Sequence, residues 1–250
     1  MEQVLYDFAK SWYTLPTQKW LVAGLLPEEG MALIASPPGW GKSWLLQSLA
    51  MSVANRLMKG WLYMRKADVE PIRVFDTTRC NVLYIDEEST ATQLCRRFRY
   101  FGMSFVDPMP GAECFVAAKT GISLSDPAGV EQLREMMLRT HPKLVIIDSL
   151  IRIHQADENS SGEMAAVFRV LSALIEEFHC LFVLADHTRK PVGGKDTPEF
   201  AVRGSSEKVA FADSILAITS RNISDPARQV ILVEHFKSSH WALCAALTIC

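Results

Sequence analysis

Ser36-Pro37-Pro38-Gly39-Trp40-Gly41-Lys42-Ser43 lies between an apolar run, Met31–Ala35 (MALIA), and a helical pattern from about Lys42 to Leu57. The pattern G-x-x-x-x-G-K-[ST], set between a strand and a helix, builds a phosphate-binding turn. This stretch meets it everywhere but the first position, where Ser36 replaces glycine. Gly39 and Gly41 let backbone N–H groups converge on phosphate oxygens where a Cβ would crowd the approach. The helix that follows adds the partial positive charge of its N-terminus. In such a turn Lys42 reaches the β- and γ-phosphates of a nucleotide, and the Ser43 hydroxyl can ligate Mg²⁺. The nucleotide contacts expected here are Ser36, Gly39, Trp40, Gly41, Lys42, Ser43 and Trp44.

Working outward, short apolar runs alternate with longer helical patterns. Asn81–Ile85 precedes a helix from Thr92 to Phe101, and Glu113–Ala117 is a weaker strand before a helix over Val130–Leu138. Lys143–Ile147 (KLVII) is the continuous apolar run of a buried parallel strand. Glu163–Phe178 places Met164, Val167, Val170, Leu171, Leu174 and Ile175 on one helical face, before strands at Cys180–Ala185 and Ser214–Ile218. Strands separated by such helices predict an α/β fold: a mostly parallel twisted sheet with helices on both faces. Gln229–His235 and Ala242–Ile249, joined by Phe236–Trp241, read as an antiparallel C-terminal hairpin, and Ser220–Arg228 as a polar turn. Residues 1–19 read as an N-terminal helical segment and residues 20–250 as a single domain.

Three strand ends carry polar chemistry. Asp148 closes LVIID, at the crevice where α/β sheets bind ligands, and would hold Mg²⁺ beside Ser43. A strand-end aspartate also serves as a helix cap. Asp86-Glu87-Glu88 ends the NVLYI strand, where a carboxylate could polarise an attacking water; the alternative is capping of the following helix at Ser89 or Thr90. Asp186-His187 ends CLFVLA, and a polar tip there could sense the γ-phosphate.

The 250 residues are 49% apolar and 22% charged, which excludes wholesale disorder and fibrous repeats. With 26 Lys and Arg against 28 Asp and Glu, a uniformly basic nucleic-acid coat is excluded, though not a local basic lining. The six cysteines, Cys80, Cys95, Cys114, Cys180, Cys244 and Cys250, form no CxxC pair, which argues against zinc and for reduced thiols in a cytoplasmic protein. No apolar window is long enough to span a membrane, and no signal peptide is legible.

The strand ends GKS, EE, D and H, in this order, resemble the RecA-like P-loop ATPase core. The detail is similar to the RepA-type hexameric replicative helicases of plasmids and their AAA-domain relatives. The similarity runs over about Trp20–Lys237, through WLVAGLLPEEGMALIASPPGWGKS, NVLYIDEES, LVIIDSLIRIHQADENSSGEMAAVFRVL, LFVLADHTRK and AVRGSSEKVAFAD. Serine at the first P-loop position is familiar in that family. The resemblance implies ATP and Mg²⁺ as cofactors. It makes Glu88 the catalytic carboxylate, Lys42 and Ser43 the nucleotide and Mg²⁺ contacts, Asp148 the Walker B acid and His187 the γ-phosphate sensor. It also implies a homo-oligomeric, hexameric ring whose loops after Asp148 and His187 meet single-stranded DNA.

Candidate DNA contacts are Arg189, Lys190, Lys195 and Arg203, in or beside the long loop Thr188–Gly204, with Phe200 for base stacking. The earlier loop, Gln155–Gly162, carries Asp157 and Glu158 instead. Arg96, Arg97 and Arg99 form a further basic cluster, read as an inter-subunit or phosphate contact or as a solvated helical face. Where plasmid helicases of this type place an arginine finger, this chain has Asp213. A neighbouring subunit's cation would then come from Arg203, Lys208 or Lys237. The expected activity is an ATP-driven DNA helicase motor, with a primase or replication-initiation protein as a partner. The alternative is a RecA-like ATPase acting as a DNA-binding switch, recombinase or regulator. A P-loop kinase is disfavoured, because no acceptor pocket or lid is legible.

Overall fold

The computed structural model describes residues 17–54, 61, 75–100, 112–188, 206–222, 230–239 and 247–249. A short antiparallel pair, β1 (Trp20–Val22) and β2 (Leu26–Pro27), leads into β3 (Gly30–Ser36) and α1 (Lys42–Ala54). Then follow β4 (Val82–Asp86), α2 (Ala91–Tyr100), β5 (Cys114–Ala118), α3 (Pro127–Thr140) and β6 (Leu144–Asp148). A 3₁₀ turn at Leu150–Arg152 precedes α4 (Ser161–Phe178), β7 (Leu181–His187) and α5 (Ser206–Phe211). The chain closes with β8 (Ser214–Asn222), β9 (Val230–Ser238) and β10 (Leu247–Ile249).

The main sheet has eight strands in the order β10-β9-β8-β3-β7-β6-β4-β5. Every pairing from β8 to β5 is parallel, and β9 and β10 add antiparallel at one edge. This is the α/β, mostly parallel, RecA-like P-loop core expected from the sequence, with its antiparallel C-terminal strands.

The unbroken apolar runs are explained by the layers that cover them. Alternate residues of a strand face opposite sides. Ala32, Ile34, Tyr84, Ile146 and Val183 pack with α1 and α2, while Leu33, Ile85, Val145, Ile147 and Leu184 pack with α3, α4 and α5. A strand buried on both faces has no polar side to show.

Local signals set the helix ends. Asp126 caps α3 by accepting from Ala128 N at 3.2 Å, with Pro127 in the first turn. Ser160 caps α4 through Glu163 N. Both helices stop at a histidine in the left-handed region, His141 and His179, whose N–H groups bond back to Met137 and Ile175.

Two expectations for the C-terminal part are corrected. β8 runs on to Asn222 and β9 to Ser238, because their mutual ladder carries them through the polar residues read as turns. Of the expected N-terminal helical segment, residues 1–16 lie outside the described residues. Among the described residues no helix is long and apolar enough to cross a membrane. Cys80, Cys114 and Cys180 are free thiols that burial pushes up to about 12, so they stay protonated and inert.

Candidate active site

The parallel order brings the ends of β3, β7, β6 and β4 side by side. Ser36 at the end of β3 pairs in register with His187 of β7, and Asp86 of β4 with Asp148 of β6. After β3 the chain turns through Gly39 and Gly41, both at positive φ (76° and 93°). An added Cβ at either would meet no atom within 4 Å, so it is the left-handed backbone that calls for glycine at both positions. Ser36 is buried, Trp40 packs partly against the core, and Trp44, in the first turn of α1, is 42% exposed.

Lys42 opens α1, and its side chain is buried. Its Nζ donates to the backbone carbonyl of Asp186 at 2.8 Å. Burial lowers its pKa, and the carboxylates of Asp148, Asp186 and Glu88 work against that shift. Asp148 is also buried. Its carboxylate accepts from Tyr84 Oη at 3.1 Å and from the Ser43 hydroxyl. Burial raises the Asp148 pKa above the usual carboxylate range, against the pull of Ser43, Lys42 and Tyr84.

The three consecutive acids that begin at the last residue of β4 separate into three tasks. Asp86 Oδ1 accepts from Glu88 N (2.8 Å) and Ser89 N (2.6 Å), and so folds the turn. Glu87 points away from the phosphate turn: its carboxylate accepts from Thr120 N at 2.9 Å, from the Thr120 hydroxyl and from Gly121 N at 3.2 Å. Glu88 is left facing the site, held by Ser149 Oγ at 2.8 Å and lying 3.8 Å from Arg152 Nε. Capping of α2 belongs to Thr90 and Gln93, which exchange bonds as a capping box.

His187 completes the group. Burial, and then the charge of Lys42, lower its pKa, so at neutral pH the imidazole is uncharged. Lys42, Ser43, Glu88, Asp148 and His187 are therefore brought together. No signal in the sequence points to Tyr84, Ser149 or the Asp186 carbonyl; the roles of these three come from neighbours distant in the chain.

The oxygens of part-buried Ser43 and buried Asp148 are hard donors of the kind Mg²⁺ prefers. Among the described residues no set of three or more His, Cys, Asp or Glu forms a self-contained metal cage.

Other candidates fare differently. Arg189, Lys190, Lys195, Phe200 and Arg203 lie outside the described residues. Lys208 was expected to reach a neighbouring subunit, but it is fully buried and paired with Asp186 and Glu158 of its own chain. Lys237 donates to the carbonyls of Val209 (2.7 Å) and Ala210 (3.1 Å) at the end of α5. Arg97 turns back to Ser89 Oγ at 3.1 Å, while Arg96 and Arg99 are exposed.

Asp213 is a staple between strands. Its carboxylate accepts from Met31 N at 3.0 Å, and its backbone bonds Met31 O and Ser239 N. It occupies the space where a Cβ on Gly30, at φ 127°, would lie 2.3 Å from Oδ2. An arginine here would lose that bond and overfill the space. Asp213→Arg is expected to cost about 1–3 kcal/mol of stability without raising turnover, as checked by thermal melting and steady-state ATPase rates.

No curated protein matches the chain. The family model described as "AAA domain" matches residues 2–193, which include the phosphate turn, both acidic strand ends and His187. With that match and this arrangement of strand ends, the chain belongs to the AAA domain family and is a nucleotide-binding ATPase of the P-loop type.

Proposed function

We propose that the chain is an ATP-driven motor of the hexameric replicative DNA helicase kind, coupling Mg-ATP hydrolysis to movement along single-stranded DNA. The observation that supports it most is the convergence of Lys42, Glu88, Asp148 and His187 at the ends of four adjacent parallel strands. In this reading the amides of the Gly39–Gly41 turn and Lys42 bind the β- and γ-phosphates, and Ser43 and Asp148 hold Mg²⁺. When bound, Mg²⁺ neutralises charge that develops on the phosphate oxygens. Glu88, placed by Ser149, orients the attacking water and accepts its proton. Neutral His187 donates a hydrogen bond toward the γ-phosphate and responds to its loss.

DNA contact is assigned to Arg189, Lys190, Lys195 and Arg203. The loop after β6 adds little to it: Glu158 is turned inward onto Lys208, and Asp157 closes its own turn on Asn159 N. A homo-hexameric ring and a primase or replication-initiation partner complete the proposal.

The second reading, a DNA-binding switch, recombinase or regulator without helicase activity, is favoured by one observation. Asp213, Lys208 and Lys237 all spend their charges within their own chain. The test combines ATPase rates with and without single-stranded DNA, unwinding of a forked duplex, and mass measurement with a non-hydrolysable nucleotide. The motor reading expects DNA-stimulated turnover, a closed ring, and DNA affinity that falls linearly in log–log form with salt. A monomer with DNA-indifferent turnover and no unwinding would sustain the second reading.

A further inference from the structure

We infer that Lys208 is a positioning residue for the phosphate site: its buried ammonium fixes Asp186, the residue that holds both Lys42 and His187, and ties the loop after β6 to the same point. This rests on the ATPase reading of the site. Lys208 lies in α5 and is 0% exposed. Its Nζ is 2.9 Å from Asp186 Oδ2, 3.2 Å from Asp186 Oδ1 and 2.5 Å from Glu158 Oε1. Asp186 is itself buried, and Glu158 is mostly so.

A buried ion group of this kind adds little net stability over apolar residues of the same volume, because desolvation offsets the attraction. What it does supply is fixed geometry. From Asp186 two contacts lead directly into the site. Its carbonyl accepts Lys42 Nζ at 2.8 Å, and its Oδ1 accepts the His187 N–H at 2.8 Å. One residue therefore sets the resting place of the P-loop lysine and the direction of the histidine.

The third arm is Glu158, in the turn that Asp157 closes on Asn159 N and Ser160 N just before α4. The end of β7, the start of α5 and the loop before α4 meet on a single nitrogen. To reach a phosphate, Lys42 must leave the Asp186 carbonyl. Lys208 then keeps the vacated strand end, and His187 with it, from relaxing. Burial raises the Asp186 pKa, and the charge of Lys208 is the leading influence that opposes that shift.

The test uses the full chain and compares wild type with Lys208→Met and Lys208→Arg. Binding stoichiometry and affinity are read with a fluorescent ADP analogue, and turnover is expressed per bound site. Lys208→Met is expected to bind one nucleotide per folded chain, with turnover per bound site lowered about a hundredfold by misplacement near the chemistry. A purely structural role predicts otherwise: stoichiometry falling with the folded fraction and unchanged turnover per site. That result overturns the inference. Where Lys208→Met does not fold, Lys208→Arg decides, since it keeps the charge but displaces it. The same kind of loss supports the inference, and wild-type turnover per site overturns it. A wild-type chain that binds no nucleotide overturns the ATPase reading itself. Wild-type hydrolysis with undiminished turnover in the variant removes only the role of Lys208.

Discussion

Glu88→Gln is expected to bind Mg-ATP close to wild-type affinity and to hydrolyse it about 10²–10⁴-fold more slowly, the usual contribution of a positioned general base. The amide keeps the size of the carboxylate and can still accept from Ser149, so the turn folded by Asp86 survives. Only the proton acceptor is lost. Lys42→Ala is expected to fail at the earlier step. Removing a charged hydrogen-bond donor worth about 1.5–3 kcal/mol weakens nucleotide binding by roughly ten- to a hundredfold. Equilibrium binding and single-turnover hydrolysis on both variants separate the two effects. Glu87 offers no substitute base, because its carboxylate already accepts from Thr120 and Gly121. Full turnover by Glu88→Gln therefore ends the assignment rather than shifting it by one residue.

Asp148→Asn is expected to move stability and function in opposite directions. Burial holds the Asp148 carboxyl above the usual carboxylate range. Its ionised form thus carries a cost in the folded chain that the unfolded chain lacks. That cost grows as pH rises from the ordinary carboxylate value to the raised one, and it fades as pH falls back through the same window. Asparagine removes the charge and can still accept from Tyr84. The nucleotide-free variant should then be more stable at pH 7, with a higher melting temperature, and the gain should shrink in acid. Mg²⁺-dependent nucleotide binding should weaken at least about tenfold as the hard anionic donor is lost. Melting curves at two pH values and nucleotide titrations with and without Mg²⁺ check both halves. A variant that melts lower at pH 7 contradicts the burial argument. Such a trade is expected wherever a charged group is kept buried for chemistry.

Much of this was legible in the chain itself. LVIID and LFVLADH are apolar because both their faces are covered, and that pattern belongs to central parallel strands. The two glycines and the lysine of the phosphate turn carry their meaning in their spacing. Less legible was the choice between Glu87 and Glu88. It is decided by Thr120 and Gly121, more than thirty positions away, which take Glu87 out of the site. Lys208 read as a candidate cation for a neighbouring subunit, since lysines are seldom buried without partners; its partners, Asp186 and Glu158, are distant in sequence. Asp213 was conspicuous only as a departure from a family pattern, and its staple to Met31 emerges when β3 and β8 lie side by side. The polar ends of β8 and β9 follow from ladder pairing, which periodicity does not report.

The central strands also end level with one another, Ser36 beside His187 and Asp86 beside Asp148. Gaining or losing one position inside β4, β6 or β7 would exchange the two apolar layers and carry a reactive tip below the rim. Changes in chain length are therefore expected to be borne best where the crossovers return to the starts of the strands, away from Gly39, Gly41, Glu88 and Ser149.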